Sequence, residues 1–298
     1  MEEHVTSPRS GRSAAKAIVG CLALSLIPAA CALAAVSSRV STGPGWFAPN
    51  YDVEYTYVLN GLRFQQRLPI VFFIHPATTL AVLYAAVIRI SHAVAPVGSS
   101  DVVEDVWRYP EAYIGRIHGC LVVLLFSASF AAGVLVWRRT RSLSAGVALQ
   151  TGLILLAELA VSAGMIWPET VVMAVGVLFA GTLTLFILDD CSSPRLCVAL
   201  GVLGALGIAA KVTFTIVTMA PAVLSRSRRQ LILYFAALIG CTGVWSRQFL
   251  RGFHKSSTFW RVLRIERGTT AQTARVLICG AICMAPVSSC ARTRFPPQ

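Results

Sequence analysis

The stretch from Gly119 to Arg141, GCLVVLLFSASFAAGVLVWRRTR, decides how the chain must be read. From Gly119 to Trp137 it carries no acidic or basic side chain, and it closes on Arg138, Arg139 and Arg141. As a helix, that apolar part rises about 28 Å, close to the roughly 30 Å of a bilayer's hydrocarbon core. Arginines at its end are placed where they reach lipid headgroups.

Working outward, apolar runs of the same kind occupy 15–36, 68–90, 144–167, 170–188 and 196–224, with shorter ones at 231–245 and 276–287. Of 298 residues, 56% are hydrophobic and 13% charged, whereas a soluble domain has about 25% charged residues. In lipid, backbone polar groups must be satisfied within the segment, and runs of this length do so as helices. The expected fold is therefore all-α: a polytopic integral membrane protein of about six to eight spans. It forms one membrane domain over 1–298, whose C-terminal part at 247–298 has the least coherent pattern.

The net charge is +13, from 26 Lys and Arg against 13 Asp and Glu. In a soluble protein that excess would point to nucleic acid. Here the cations cluster at the ends of apolar runs, at Arg138 to Arg141 and Arg226 to Arg229, and read as orientation signals and contacts to membrane lipids. No nucleic-acid partner is expected. Arg9, Arg12 and Lys16 precede the first run, which is longer than a signal-peptide core and predicts a retained first helix with a cytoplasmic N-terminus. The nine cysteines are scattered without metal-site spacing.

The run at 68–90 controls the topology. If it crosses, the next span delivers Arg138, Arg139 and Arg141 outside, against the positive-inside tendency. If it lies at the interface or re-enters, 37–118 forms an extracytoplasmic loop with juxtamembrane helices, and the cluster falls inside; this arrangement is expected. From Asp52 onward, Tyr55, Val58, Leu59 and Leu62 recur at helical spacing and predict an amphipathic helix of about four turns, with Asn60, Arg63 and Arg67 on its polar side. The run at 196–224 is too long for one upright helix. Two short helices turning near Lys211, or one strongly tilted helix, fit it better, and the hairpin would bring Lys211 to the outer face and Arg226, Arg228 and Arg229 back inside.

Few residues in such a chain can carry chemistry. Asp52 and Glu54 stand together beyond the first span, and in an extended segment their carboxylates would share a face. That pair can take a proton from an acceptor hydroxyl or hold a divalent cation; a helix N-cap with a first-turn acid explains the same residues. His75, followed by Pro76, either satisfies carbonyls freed by the proline or contacts a phosphate or hydroxyl. Lys211 and Glu158 lie within apolar runs, where an ionisable group is costly and marks a functional candidate. Lys211 either meets a lipid phosphate or snorkels as an anchor, and Glu158 pairs with another helix, Lys211 being one conceivable partner. Glu169, beside Pro168, sits at the outer end of a span.

The stretch Tyr51-Asp52-Val53-Glu54-Tyr55-Thr56-Tyr57-Val58-Leu59-Asn60-Gly61-Leu62, followed by His75-Pro76-Ala77-Thr78-Thr79, resembles the opening of membrane glycosyltransferases of the C-type superfamily, which includes protein O-mannosyltransferases and the lipid A aminoarabinose transferase. The resemblance covers roughly 43–220. It implies a transmembrane bundle with juxtamembrane helices after the first span, in a bacterial inner membrane. It also implies inverting transfer of a sugar from a polyprenyl-phosphate carrier to a lipid, glycan or protein acceptor at the outer face. Asp52 would be the general base, with Glu54 assisting or joining Asp52 in binding a divalent cation such as Mg or Mn. Glu169 would be the acid of the second outer loop, and His75 and Lys211 would contact carrier or substrate phosphate. Val53, Ala77 and Thr79 depart from the family's Pro, Gly and Pro, and Ile265-Glu266-Arg267-Gly268 stands where relatives have a His-Thr-Gly-x-Tyr-Gly-like stretch. The resemblance implies a divergent relative that is shortened, partial or inactive. A carrier of a lipid-linked substrate, coupled through Glu158 and Lys211, and a non-catalytic membrane protein are the alternatives.

Overall fold

The computed structural model describes residues 9–43, 51–68, 78–154 and 164–244. The chain divides into two units, Met1–Gly252 and Phe253–Gln298, and every described residue lies in the first. Among the described residues all regular structure is helical and no strand is present. The elements are α1 (Arg9–Thr42), α2 (Tyr51–Gln65), α3 (Thr78–Val94), α4 (Val102–Arg108), α5 (Pro110–Thr140), α6 (Leu143–Ile154), α7 (Pro168–Leu188), α8 (Pro194–Ala210), a 3-10 turn (Val212–Ile216), α9 (Met219–Leu224) and α10, which begins at 228 and is described to 244.

The protein is a multi-span helical bundle. Ala14–Ser41, Pro110–Thr140 and Pro168–Leu188 are long and apolar enough to cross a membrane, and Thr79–Val94, Pro194–Ala210 and Val212–Leu224 are shorter apolar segments. Prolines open α5, α7 and α8 at positions where a missing N–H costs nothing. Many large apolar side chains of α1 face outward, among them Ile18, Leu22, Leu26 and Leu33. In a chain of this composition that surface suits lipid.

Close packing fixes the directions of the helices. Gly20 leaves room for the Trp137 ring, while Arg39 at the other end of α1 reaches Glu111 at the start of α5, so α1 and α5 are antiparallel. Gln150 of α6 donates from Nε2 to the carbonyls of Leu24 and Ser129, both at 3.0 Å, and ties α1, α5 and α6 together in the interior. Arg139 meets Asp189 at 2.5 Å, aligning the C-terminal ends of α5 and α7. In the 196–224 run, α8 ends at Lys211, whose backbone is extended at φ −153 and ψ 124. The chain then doubles back, with Phe214 beside Gly207 and Thr218 beside Gly204. Gly201 admits α10 so closely that a Cβ there would stand 2.6 Å from the Tyr234 carbonyl oxygen.

The bundle therefore has two unlike ends. One carries Lys16, Arg138, Arg139, Arg141 and Arg195 with Asp189 and Asp190. The other gathers Arg39, Glu54, Glu111, Glu169 and Lys211. The hairpin of α2 and α3 is fastened to this second end at several points: Glu54 and Tyr84 reach the turn before α7, and His92 reaches Tyr113 near the start of α5.

Tyr51–Gln65 is helical, as the spacing predicts, and not extended at its start, so backbone positions 52 and 54 lie about 200° apart around the helix axis. The polar side expected of α2 is also only partly polar in practice. Asn60 is 4% exposed and Glu54 3%, because α2 packs on α3 and on the ends of the spans, where Arg39 neutralises the buried acid.

Candidate functional site

Arg39 is the last basic residue of α1 and is the hub of the polar end. Its Nη1 donates to both Glu54 oxygens, at 2.9 and 2.7 Å, and its Nη2 lies 3.4 Å from Glu111 Oε2. Glu111, in the first turn of α5, also accepts from the Tyr55 hydroxyl. Burial first, and then the Glu111 carboxylate, hold the Tyr55 phenol above its ordinary range. Glu54 Oε1 additionally accepts the Ile166 N–H at 3.0 Å. The Ile166 carbonyl in turn accepts from the Tyr84 hydroxyl at 2.8 Å. Both backbone polar groups of one fully buried residue are thus satisfied by side chains of α2 and α3.

Three residues beyond Ile166 stands Glu169, in the first turn of α7. Its Oε1 lies 2.6 Å from Lys211 Nζ, across the gap between the start of α7 and the end of α8. The Glu169 and Lys211 side chains keep 22% and 27% of their surface exposed. Tyr57 of α2 feels the same carboxylate: burial and then Glu169 push its phenol up to about 12. Trp167 lies between the two fastenings, and its buried indole Nε1 has no hydrogen-bond partner among the described residues. A buried unpaired donor is costly and calls for an explanation, an incoming acceptor being one.

A second polar cluster closes the loop before α4. Asp105 is fully buried and accepts the N–H groups of Val97, Gly98 and Ser99 and the Tyr113 hydroxyl, the last at 2.6 Å. His92 Nδ1 lies 3.2 Å from the same carboxylate. Burial opposes the charge, but these hydrogen bonds outweigh it and hold the carboxyl well below the usual carboxylate range. Every acceptor position of Asp105 is engaged, which makes it the fastener of the 95–101 loop.

Of the residues singled out in the sequence, the structure joins Glu169 to Lys211 and brings Glu54 to the turn that leads into Glu169. Both Glu54 oxygens accept from Arg39, and Oε1 also accepts the Ile166 N–H. Among the described residues no three His, Cys, Asp or Glu side chains come together as a metal site. The Asp52 side chain, His75 and Glu158 lie outside the described residues, as does 247–298. Arg39, Tyr84, Glu111 and Trp167 were not legible as site residues. Arg39 and Glu111 look like ordinary ends of apolar runs, and their meeting depends on antiparallel packing over 72 positions of sequence. No protein-family model, curated protein or solved structure matches this chain.

Proposed function

We propose that the protein transfers a sugar from a polyprenyl-phosphate carrier to an acceptor at the polar end of the bundle. This end is the outer face of a bacterial inner membrane, and the arginine-rich end is cytoplasmic. The observation that carries the reading is the half-open Glu169–Lys211 pair at the mouth of two apolar helices. It offers a cation where a lipid-linked phosphate would lie, and the Trp167 indole N–H, without a partner among the described residues, stands two positions from Glu169. Charge accumulating on a phosphate leaving group is stabilised by a fixed cation.

In the proposed step, Asp52 in the first turn of α2 accepts the proton of the acceptor hydroxyl. The acceptor oxygen forms a bond to the anomeric carbon as the bond from that carbon to the carrier phosphate breaks, and the carrier leaves with the electron pair as polyprenyl phosphate. Lys211 takes up the phosphate charge while Glu169 keeps its ammonium in place. No step runs through a metal. A second reading has one observation in its favour: Glu54, Glu111 and Glu169 all have partners already, as in a non-catalytic membrane protein whose acids are fasteners. Coupled transport through Glu158 and Lys211 is less well supported, because Lys211 engages Glu169 at a helix end.

Lipid-linked sugars are to be profiled in cells lacking the gene and complemented in turn with wild type, Asp52→Asn and Lys211→Ala at matched expression. Carrier-linked sugar accumulates without the gene and is cleared by wild type alone. Equal clearance by Asp52→Asn removes the proton-acceptor role, and no accumulation in the deletion removes the transferase reading.

A further inference from the structure

Glu169 is not positioned by α7 alone. The turn entering α7 is held at Ile166, which is fully buried, and the groups holding it come from the α2–α3 hairpin: the Glu54 carboxylate on its N–H and the Tyr84 hydroxyl on its carbonyl. Glu54 is itself fixed by Arg39 of α1. Irregular backbone at such a depth needs its polar groups satisfied, and side chains from a separate element do that here. Three residues downstream, Glu169 reaches Lys211.

We infer that Glu54 and Tyr84 are positioning residues: by clamping the Ile166 peptide they set Glu169 against Lys211, so docking of the α2–α3 hairpin assembles the cationic site. The inference rests on the proposed use of Lys211 as the phosphate contact, but the contact geometry stands without it. In physical terms the clamp links two acids of different kinds. Glu54 acts through a backbone N–H and never meets substrate, whereas Glu169 holds the functional cation. Release of either hydrogen bond frees the 164–167 turn and gives Glu169 additional positions, which loosens its hold on Lys211.

Lys16, Lys211 and Lys255 are the only lysines of the chain, so acylation of Lys211 is readable by peptide mass spectrometry. The full chain in detergent is treated with a limiting amount of acetic anhydride, without substrate, and the modification rate of Lys211 is taken relative to exposed Lys16. Glu169→Gln sets the upper limit, because Lys211 then lacks its partner. Tyr113→Phe is the control: it removes a buried tyrosine hydroxyl at the same end of the bundle, one that hydrogen-bonds Asp105 and His92.

A rise in Lys211 modification of about three- to tenfold, the factor one hydrogen bond's free energy gives to a local opening, is expected in Glu54→Gln or Tyr84→Phe, with Tyr113→Phe unchanged. Tyr84→Phe keeps the test available if Glu54→Gln does not fold. Unchanged rates in both variants, or an equal rise in Tyr113→Phe, overturn the inference. Because no sugar transfer is measured, failure of the transferase reading leaves this result standing, and the converse also holds.

Discussion

Lys211 Nζ and Glu169 Oε1 lie 2.6 Å apart and join the end of α8 to the start of α7. Each comes from a segment that is otherwise apolar, so each is the other's main compensation. Removing one partner leaves a half-buried charge, whereas removing both leaves none. Lys211→Met and Glu169→Gln are each expected to lower stability by about 1–2 kcal/mol, and the double variant to lose less than their sum by about 1 kcal/mol. Unfolding in mixed micelles, arranged as a double-mutant cycle, measures this coupling.

The Arg39–Glu54 pair is more deeply buried, at 15% and 4% side-chain exposure, than Arg139–Asp189 at 53% and 31%. Breaking the first strands a buried charge and is expected to cost about 3 kcal/mol, against less than about 1 kcal/mol for the second. Glu54→Ala and Arg139→Ala, compared in the same micelle titration, test the difference.

Asp105 predicts an acid-sensitive loop. Its carboxyl titrates lower in the folded than in the unfolded protein. Its contribution to stability is therefore present above the unfolded value, about 3.9, and is lost as pH falls through that value towards the lower folded one. Wild type should lose thermal stability as the pH falls below about 5, more steeply than Asp105→Asn, which has no such carboxylate to protonate. Parallel acid profiles for the two proteins would contradict this.

Two glycines predict opposite responses. A methyl group at Gly201 would meet the Tyr234 carbonyl oxygen at 2.6 Å and Ala237 Cβ at 2.7 Å, whereas nothing lies within 4 Å of one at Gly115. Gly201→Ala forces α10 away from α8 and is expected to destabilise by about 1–3 kcal/mol. Gly115→Ala, within helix α5, is expected to stabilise by up to about 1 kcal/mol. Thermal midpoints of the two variants decide it.

The sequence determined the class of the protein. Apolar runs of bilayer length with terminal arginines admit little besides a helical membrane bundle, because each run satisfies its backbone locally and hides nothing from a linear reading. The interruption near Lys211 was legible for the same reason: a cation in an apolar run is a local conflict that the chain resolves by ending a helix. The partnerships were decided by tertiary structure. Lys211 pairs with Glu169, and Glu54 turns inward to Arg39 and to the Ile166 peptide. Those contacts join residues far apart in sequence, and their energy depends on burial and on which helix ends coincide. The helix from Asp52 onward was legible in the spacing, but the burial of Glu54 and Asn60 on it was decided by packing against α3 and the ends of the spans.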